Sequence, residues 1–157
     1  MDTLLKKLNF KEEKEILVLN SPPEYERILK DFSNSARVLT NINNIEDDQG
    51  IKFALIFLFK QEDLTKLIPL FIDSLVGDAK LWVTYPKKSS KKYTSDIDRD
   101  HGWNLLGEFG YEPVRQVAFD DDLSALRFRK VNFIKNFNRN REMVLSKEGR
   151  DRKDSKE

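Results

Sequence analysis

The segment YPKKSSKK, residues 85–92, sets Lys87, Lys88, Lys91 and Lys92 around Ser89 and Ser90. Flexible ammonium groups beside hydroxyls are the chemistry of a phosphate or other anion site. A helix starting near Ser95 would add amide donors. The segment has no glycine cradle, however, and its spacing is not that of a P-loop. The simpler account is a solvated basic loop. Asp120, Asp121 and Asp122 make a second charged group. Consecutive carboxylates in a tight turn converge poorly on the six oxygen positions that Mg²⁺ or Ca²⁺ requires. A charge-balanced lip, with the aspartates facing the lysines, accounts for them without a metal. His101 is the only histidine and there is no cysteine. Disulfides, thiolate metal sites and a cysteine nucleophile are excluded. No serine is placed for a catalytic triad. No catalytic residue, metal or cofactor is therefore expected.

These groups need elements to hold them. Residues 15–20 form a short apolar run before Ser21-Pro22-Pro23, and predict a first strand. A helix over 23–33 follows, with Ser21 as its N-cap and Tyr25, Ile28, Leu29 and Phe32 on one face. Residues 37–42 predict a second strand and 43–50 an acidic loop. Residues 52–59 are apolar throughout, as in a strand covered on both faces. The spacing of Leu64, Leu67, Ile68, Phe71, Ile72 and Leu75 predicts a helix over 62–76, stopped by Gly77. A fourth strand covers 80–85 and ends at Pro86. A third helix is predicted over 96–109, with Ser95 at its N-cap and Gly110 as its stop. Strands over 114–119 and 124–131 then form a hairpin around the acidic turn.

The chain has 157 residues, 39% hydrophobic and 35% charged, enough for one domain of ordinary size. Eleven Phe, two Trp and four Tyr supply a core. The 28 basic and 27 acidic residues leave a net charge of +1, which gives no general attraction to nucleic acid. The boundary falls near 134. Residues 1–134 are expected to form one domain carrying −2, and residues 135–157 a disordered, charged tail carrying +3. No apolar run suits a signal peptide or a membrane span, so a cytoplasmic location without membrane contact is expected.

Alternating strands and helices predict an α/β domain with helices on both faces of a mostly parallel sheet. The segments KFALIFLF, EDLTKLIPLFIDSLVGD, KLWVTYP and VRQVAFDDDLSALRFR resemble the second half of a Rossmann-type methyltransferase. The resemblance implies a three-layer Rossmann-like sheet of six strands in the order 2-1-3-4-6-5, with strand 6 antiparallel. LWVTYPKKSSK, SDIDRDHGW and DDDLSALRFR resemble more closely a family of uncharacterised bacterial proteins, which implies a fold and no activity. Methyltransferases carry closely spaced glycines after the first strand and an acidic residue ending the second. Here the corresponding residues are Asn20-Ser-Pro-Pro-Glu24 and Thr40-Asn-Ile-Asn43, with Glu46 only later. Both departures argue against methyl-donor binding.

In an open α/β sheet, ligands sit beyond the strand ends where the strand order reverses. That crevice would be lined by Asn20 and Ser21 on one side and Phe59, Lys60 and Gln61 on the other, with Tyr85 and Lys87 next along. The expected function is a non-catalytic binding or interaction module, with a protein partner or self-association. The alternatives are an enzyme or nucleotide binder using the crevice, and a weak nucleic-acid binder using Lys87, Lys88, Lys91, Lys92 and the tail. Arg127 and Arg129 alternate with Leu126 and Phe128, which gives the last strand one apolar and one basic face.

Overall fold

The structure is a computed structural model and describes residues 3–46, 49–97 and 102–134. Its six strands are β1 (Glu15–Leu19), β2 (Arg37–Leu39), β3 (Ile51–Phe57), β4 (Leu75–Pro86), β5 (Tyr111–Ala118) and β6 (Leu123–Lys130). They form one sheet in the order β2-β1-β3-β4-β6-β5. The first four strands are parallel to one another, and β6 runs antiparallel to both β4 and β5. This is the predicted three-layer Rossmann-like arrangement.

The helices are α1 (Thr3–Lys7), α2 (Glu26–Phe32), α3 (Gln61–Phe71) and α4 (Asn104–Glu108). Period-two alternation sends the strand residues into two apolar layers. Leu17, Leu19, Ala54, Ile56, Leu58, Leu81, Val83 and Tyr85 pack with Leu64, Ile68 and Phe71 of α3 and with Trp103 and Leu106. Ile16, Val18, Phe53, Leu55, Phe57 and Trp82 fill the other layer with Leu5, Leu8, Phe10, Tyr25 and Phe32. The β3 run is apolar throughout because both of its faces are covered.

The amino-terminal segment is a structural element that the sequence reading passed over. Leu5 and Leu8 are fully buried. The Trp82 indole donates to the Leu8 carbonyl at 2.8 Å. Lys80 donates to the Asn9 carbonyl at 2.7 Å and pairs with Glu13 at 2.6 Å. The segment thus seals the middle of β4 and satisfies its polar tips.

Two predicted helices are shorter than expected. The helix over 62–76 ends at Phe71, and a 3₁₀ turn over Ile72–Ser74 follows. Pro69 lies inside its last turn, where it removes an amide donor and weakens continuation. Gly77 therefore does not stop a helix. It lies within β4 at φ +57°, in the stretch where the β3–β4 register shifts. The helix over 96–109 is represented by Asn104–Glu108. Ser95 accepts the Ile97 amide at 3.0 Å in a local turn, not as the cap of that helix. Residues 98–101, including His101, lie outside the described residues, as does the expected tail at 135–157.

Candidate functional site

Strand order reverses between β1 and β3, and the chain leaves β1 through Asn20. This residue adopts φ +63°, and its side-chain amide donates to the Phe57 carbonyl at 2.8 Å. Asn tolerates the left-handed region better than most residues, because its short polar side chain bonds locally. Here it bonds across the crevice instead. Pro22 follows at φ −65° and ψ 154°, and a 3₁₀ turn over Pro23–Tyr25 leads into α2. No side chain caps that turn, so Ser21 is not the predicted N-cap. Two prolines leave this corner with few amides to offer a ligand.

The turn delivers Tyr25 to the middle of the rim. Its hydroxyl donates to Asp120 Oδ2 at 2.6 Å, joining the β1 corner to the β5–β6 turn. Its ring lies 5.6 Å from Phe57 and 5.9 Å from Phe119, and those two rings meet edge to face at 5.6 Å. Burial and the neighbouring Asp120 carboxylate push the Tyr25 phenol well above its ordinary range.

The start of α3 is also occupied. Asp63 Oδ2 accepts the Phe59 and Lys60 amides at 3.0 and 3.1 Å, and Asp96 Oδ1 accepts the Gln61 amide at 2.7 Å. Helix N-termini attract anions through such donors. Here two protein carboxylates already fill that role. Lys60 is exposed. Tyr85, predicted to line the crevice, is 3% exposed and packs against Trp103 at 5.4 Å. Period-two alternation turns it into the layer under α4, away from Asn20. The crevice candidates therefore do not converge.

The lysine loop folds onto the acidic turn. The Lys87 amide donates to the Asp122 carbonyl at 2.8 Å, and Ser90 Oγ donates to Asp122 Oδ1 at 2.9 Å. Ser90 Oγ in turn accepts the Lys92 and Tyr93 amides. Lys92 reaches Glu24 at 3.6 Å. Ser89 and Lys91 are exposed. Beside the loop is a groove of about 420 Å³ lined by Lys87, Lys88, Ser90, Tyr93, Ser95 and Asp96, among others. Tyr93 is also among its lining residues, and its hydroxyl is buried with no hydrogen-bond partner among the described residues. Asp120 Oδ1 caps its own turn by accepting the Asp122 and Leu123 amides. Asp120 and Asp122 thus serve different partners. Among the described residues, no cluster of three or more His, Asp or Glu is arranged to hold a metal. Nor is any helix there long and apolar enough to cross a membrane.

The methyl donor that the fold implies can be tested against these residues. The β1 corner has side chains and prolines where glycines would let backbone approach. At the end of β2, Asn41 caps a 3₁₀ turn by accepting the Asn43 amide at 2.9 Å. Glu46 faces Arg37 at 3.9 Å. The residues present do not fit that cofactor.

Topology and strand order define a Rossmann-like, methyltransferase-like fold. N-methyltransferase NodS from Bradyrhizobium japonicum WM9, solved with S-adenosyl-L-homocysteine, is similar at a TM-score of 0.51 and 12% identity, over 82% of this chain and 84% of that one. A structure from Sulfolobus solfataricus assigned to the type 11 methyltransferases gives 0.50 at 12% identity, over 88% of this chain and 96% of that one. A protein of the NADB-Rossmann superfamily from Streptococcus agalactiae gives 0.50 at 13% identity, over 83% and 68%. At these identities the likeness establishes the fold alone. No family model and no curated protein matches the sequence.

Proposed function

We propose that this chain is a non-catalytic binding module on a methyltransferase-like fold, and that its ligand surface is the groove beside the lysine loop. One observation carries the reading. The Asn20 side chain spans the switch-point crevice to the Phe57 carbonyl at 2.8 Å, so protein occupies the ground a nucleotide would need. The carboxylate caps on α3 support it further, because they take amides that would otherwise meet a phosphate. The groove, by contrast, is lined by Lys87, Lys88 and Tyr93, whose buried hydroxyl has no partner among the described residues. An unpaired buried hydroxyl is costly, and a bound oxygen acceptor would relieve it. The chemistry suits a small phosphorylated or carboxylated molecule.

Calorimetric titration with S-adenosylhomocysteine and with inorganic pyrophosphate tests the proposal. No heat is expected from the first. Binding of the second is expected, lost in the Lys87→Ala, Lys88→Ala double variant. Saturable binding of S-adenosylhomocysteine overturns the reading.

A further inference from the structure

The outer hairpin carries an arrangement that packing does not explain. Arg115 on β5 and Arg127 on β6 are direct partners in the antiparallel register. Directly opposed residues project from the same face, with their Cβ atoms about 4.5–5.5 Å apart. Like charges in that position oppose pairing. Arg129, two residues along β6, projects from the same face. It is matched by Asp78, with Nε to Oδ1 at 2.8 Å and Nη2 to Oδ2 at 2.5 Å. Arg127 has no such match. Its Nε is buried and meets no acceptor. On its other side, across the β4–β6 pairing, lies fully buried Trp82. Burial first, and then Arg129 and Arg115, weaken its hold on its proton, while Asp78 and Glu13 oppose them. Arg115 stands exposed on the edge strand.

A half-buried guanidinium without an acceptor, facing a second guanidinium, is a poor structural device. It is a good receptor for an oxyanion, because two planar donor forks match a phosphate and offset each other's repulsion once it binds. We propose that Arg115 and Arg127 form a phosphate-binding site on the β5–β6 face, separate from the lysine loop. The phosphate can be a free anion or small monoester, or one link of a single-stranded nucleic acid backbone. β6 favours neither source: it continues into Lys130 and then a tail of net charge +3.

Urea unfolding in chloride and in inorganic phosphate, at equal ionic strength, tests the site. Phosphate at about a hundred times its dissociation constant raises the folded-to-unfolded ratio roughly a hundredfold. Arg115→Gln and Arg127→Gln are each expected to abolish that gain. The Lys87→Ala, Lys88→Ala variant is expected to keep it. Arg115→Gln is also expected to be more stable than the parent chain in chloride, because it removes the opposed charge. A merely structural arginine predicts the reverse. The proposal falls if phosphate gives no gain, if the gain survives both arginine variants, or if it disappears with the two lysines. Titration with a ten-nucleotide oligothymidine distinguishes the sources. Arginine-dependent binding with a steep salt dependence assigns the site to a nucleic acid backbone. A phosphate gain without oligonucleotide binding assigns it to a small anion.

Discussion

Asn20 offers a sharp test of how the crevice is closed. Its backbone is left-handed at φ +63°, and its side chain makes one bond to the Phe57 carbonyl. Asn20→Gly removes the bond, worth about 1 kcal/mol. Glycine relieves the residual left-handed strain but adds freedom to the unfolded chain, at about 0.4–1 kcal/mol. These two effects nearly offset, so the net loss is about 1 kcal/mol. Asn20→Ala loses the same bond and keeps a Cβ in the left-handed region without the polar side chain that eases it there, which costs a further 1 kcal/mol or so. Its net loss is about 2 kcal/mol. The expected order is therefore parent, then glycine, then alanine, the inverse of the order in ordinary helix or strand. For a chain of this size the two variants should differ by about 2–4 °C in melting temperature. Urea unfolding with a shared slope and separate midpoints measures it. Alanine equal to or better than glycine refutes the left-handed corner. Two variants as stable as the parent would show that the bridge contributes nothing, and the account of a protein-filled crevice would go with it.

Tyr25→Phe should cost about 1.5–3 kcal/mol near neutral pH, because it takes a hydrogen bond from the Asp120 carboxylate. Tyr25 is held well above its ordinary 10.0 and Tyr111 is pushed up to about 12, both chiefly by burial. Their contribution is complete below pH 10, and it falls above that because the unfolded chain ionises first. Urea midpoints from pH 9 to 11.5 should therefore drop, and drop less in Tyr25→Phe. Leu8→Ala should cost about 3 kcal/mol, since Leu8 is fully buried and its carbonyl holds the Trp82 indole. A loss below 1 kcal/mol, read by tryptophan fluorescence, would mean that the amino-terminal segment is not docked. Gly50 and Gly77 both have positive φ, but only at Gly50 would a Cβ collide, 2.2 Å from Val76 Cγ1. Gly50→Ala should cost at least 2 kcal/mol and Gly77→Ala about 1 kcal/mol, compared by thermal melts.

The sheet was legible because its signals are local. The unbroken apolar run of β3 marks a strand covered on both faces, and the prolines and glycines mark the corners. The apolar spacing overstates the length of α3 because it continues beyond Pro69, so periodicity and backbone chemistry disagree there. The α1 segment leaves little signal because five residues of helix have too few turns to show a period, although Leu4, Leu5 and Leu8 carry a weak one. At the rim the limit is different. Tyr25 and Asp120 are 95 residues apart, and nothing in either segment announces the other. Asp96 was assigned to its own helix, whereas it serves α3, 35 residues earlier. The facing of Arg115 and Arg127 depends on a register shift between Pro113 and Arg115, which no spacing rule supplies.

A parallel sheet leaves its ligand edge chemically unsatisfied, because strand ends, helix amides and loop donors gather there without partners of their own. In this chain much of that edge is satisfied from within. Asn20 serves Phe57, Asp63 and Asp96 serve the first amides of α3, and Tyr25 and Ser90 serve the acidic turn. Each of these contacts converts a ligand-facing group into a fold-stabilising one. Two buried polar atoms have no partner among the described residues: the Tyr93 hydroxyl, whose ring lies near Lys92, and, away from that edge on β6, Arg127 Nε. The anion sites proposed above rest on these two atoms. Opening the switch-point crevice to a nucleotide would require several internal bonds to be broken together, each at a cost of about 1 kcal/mol or more.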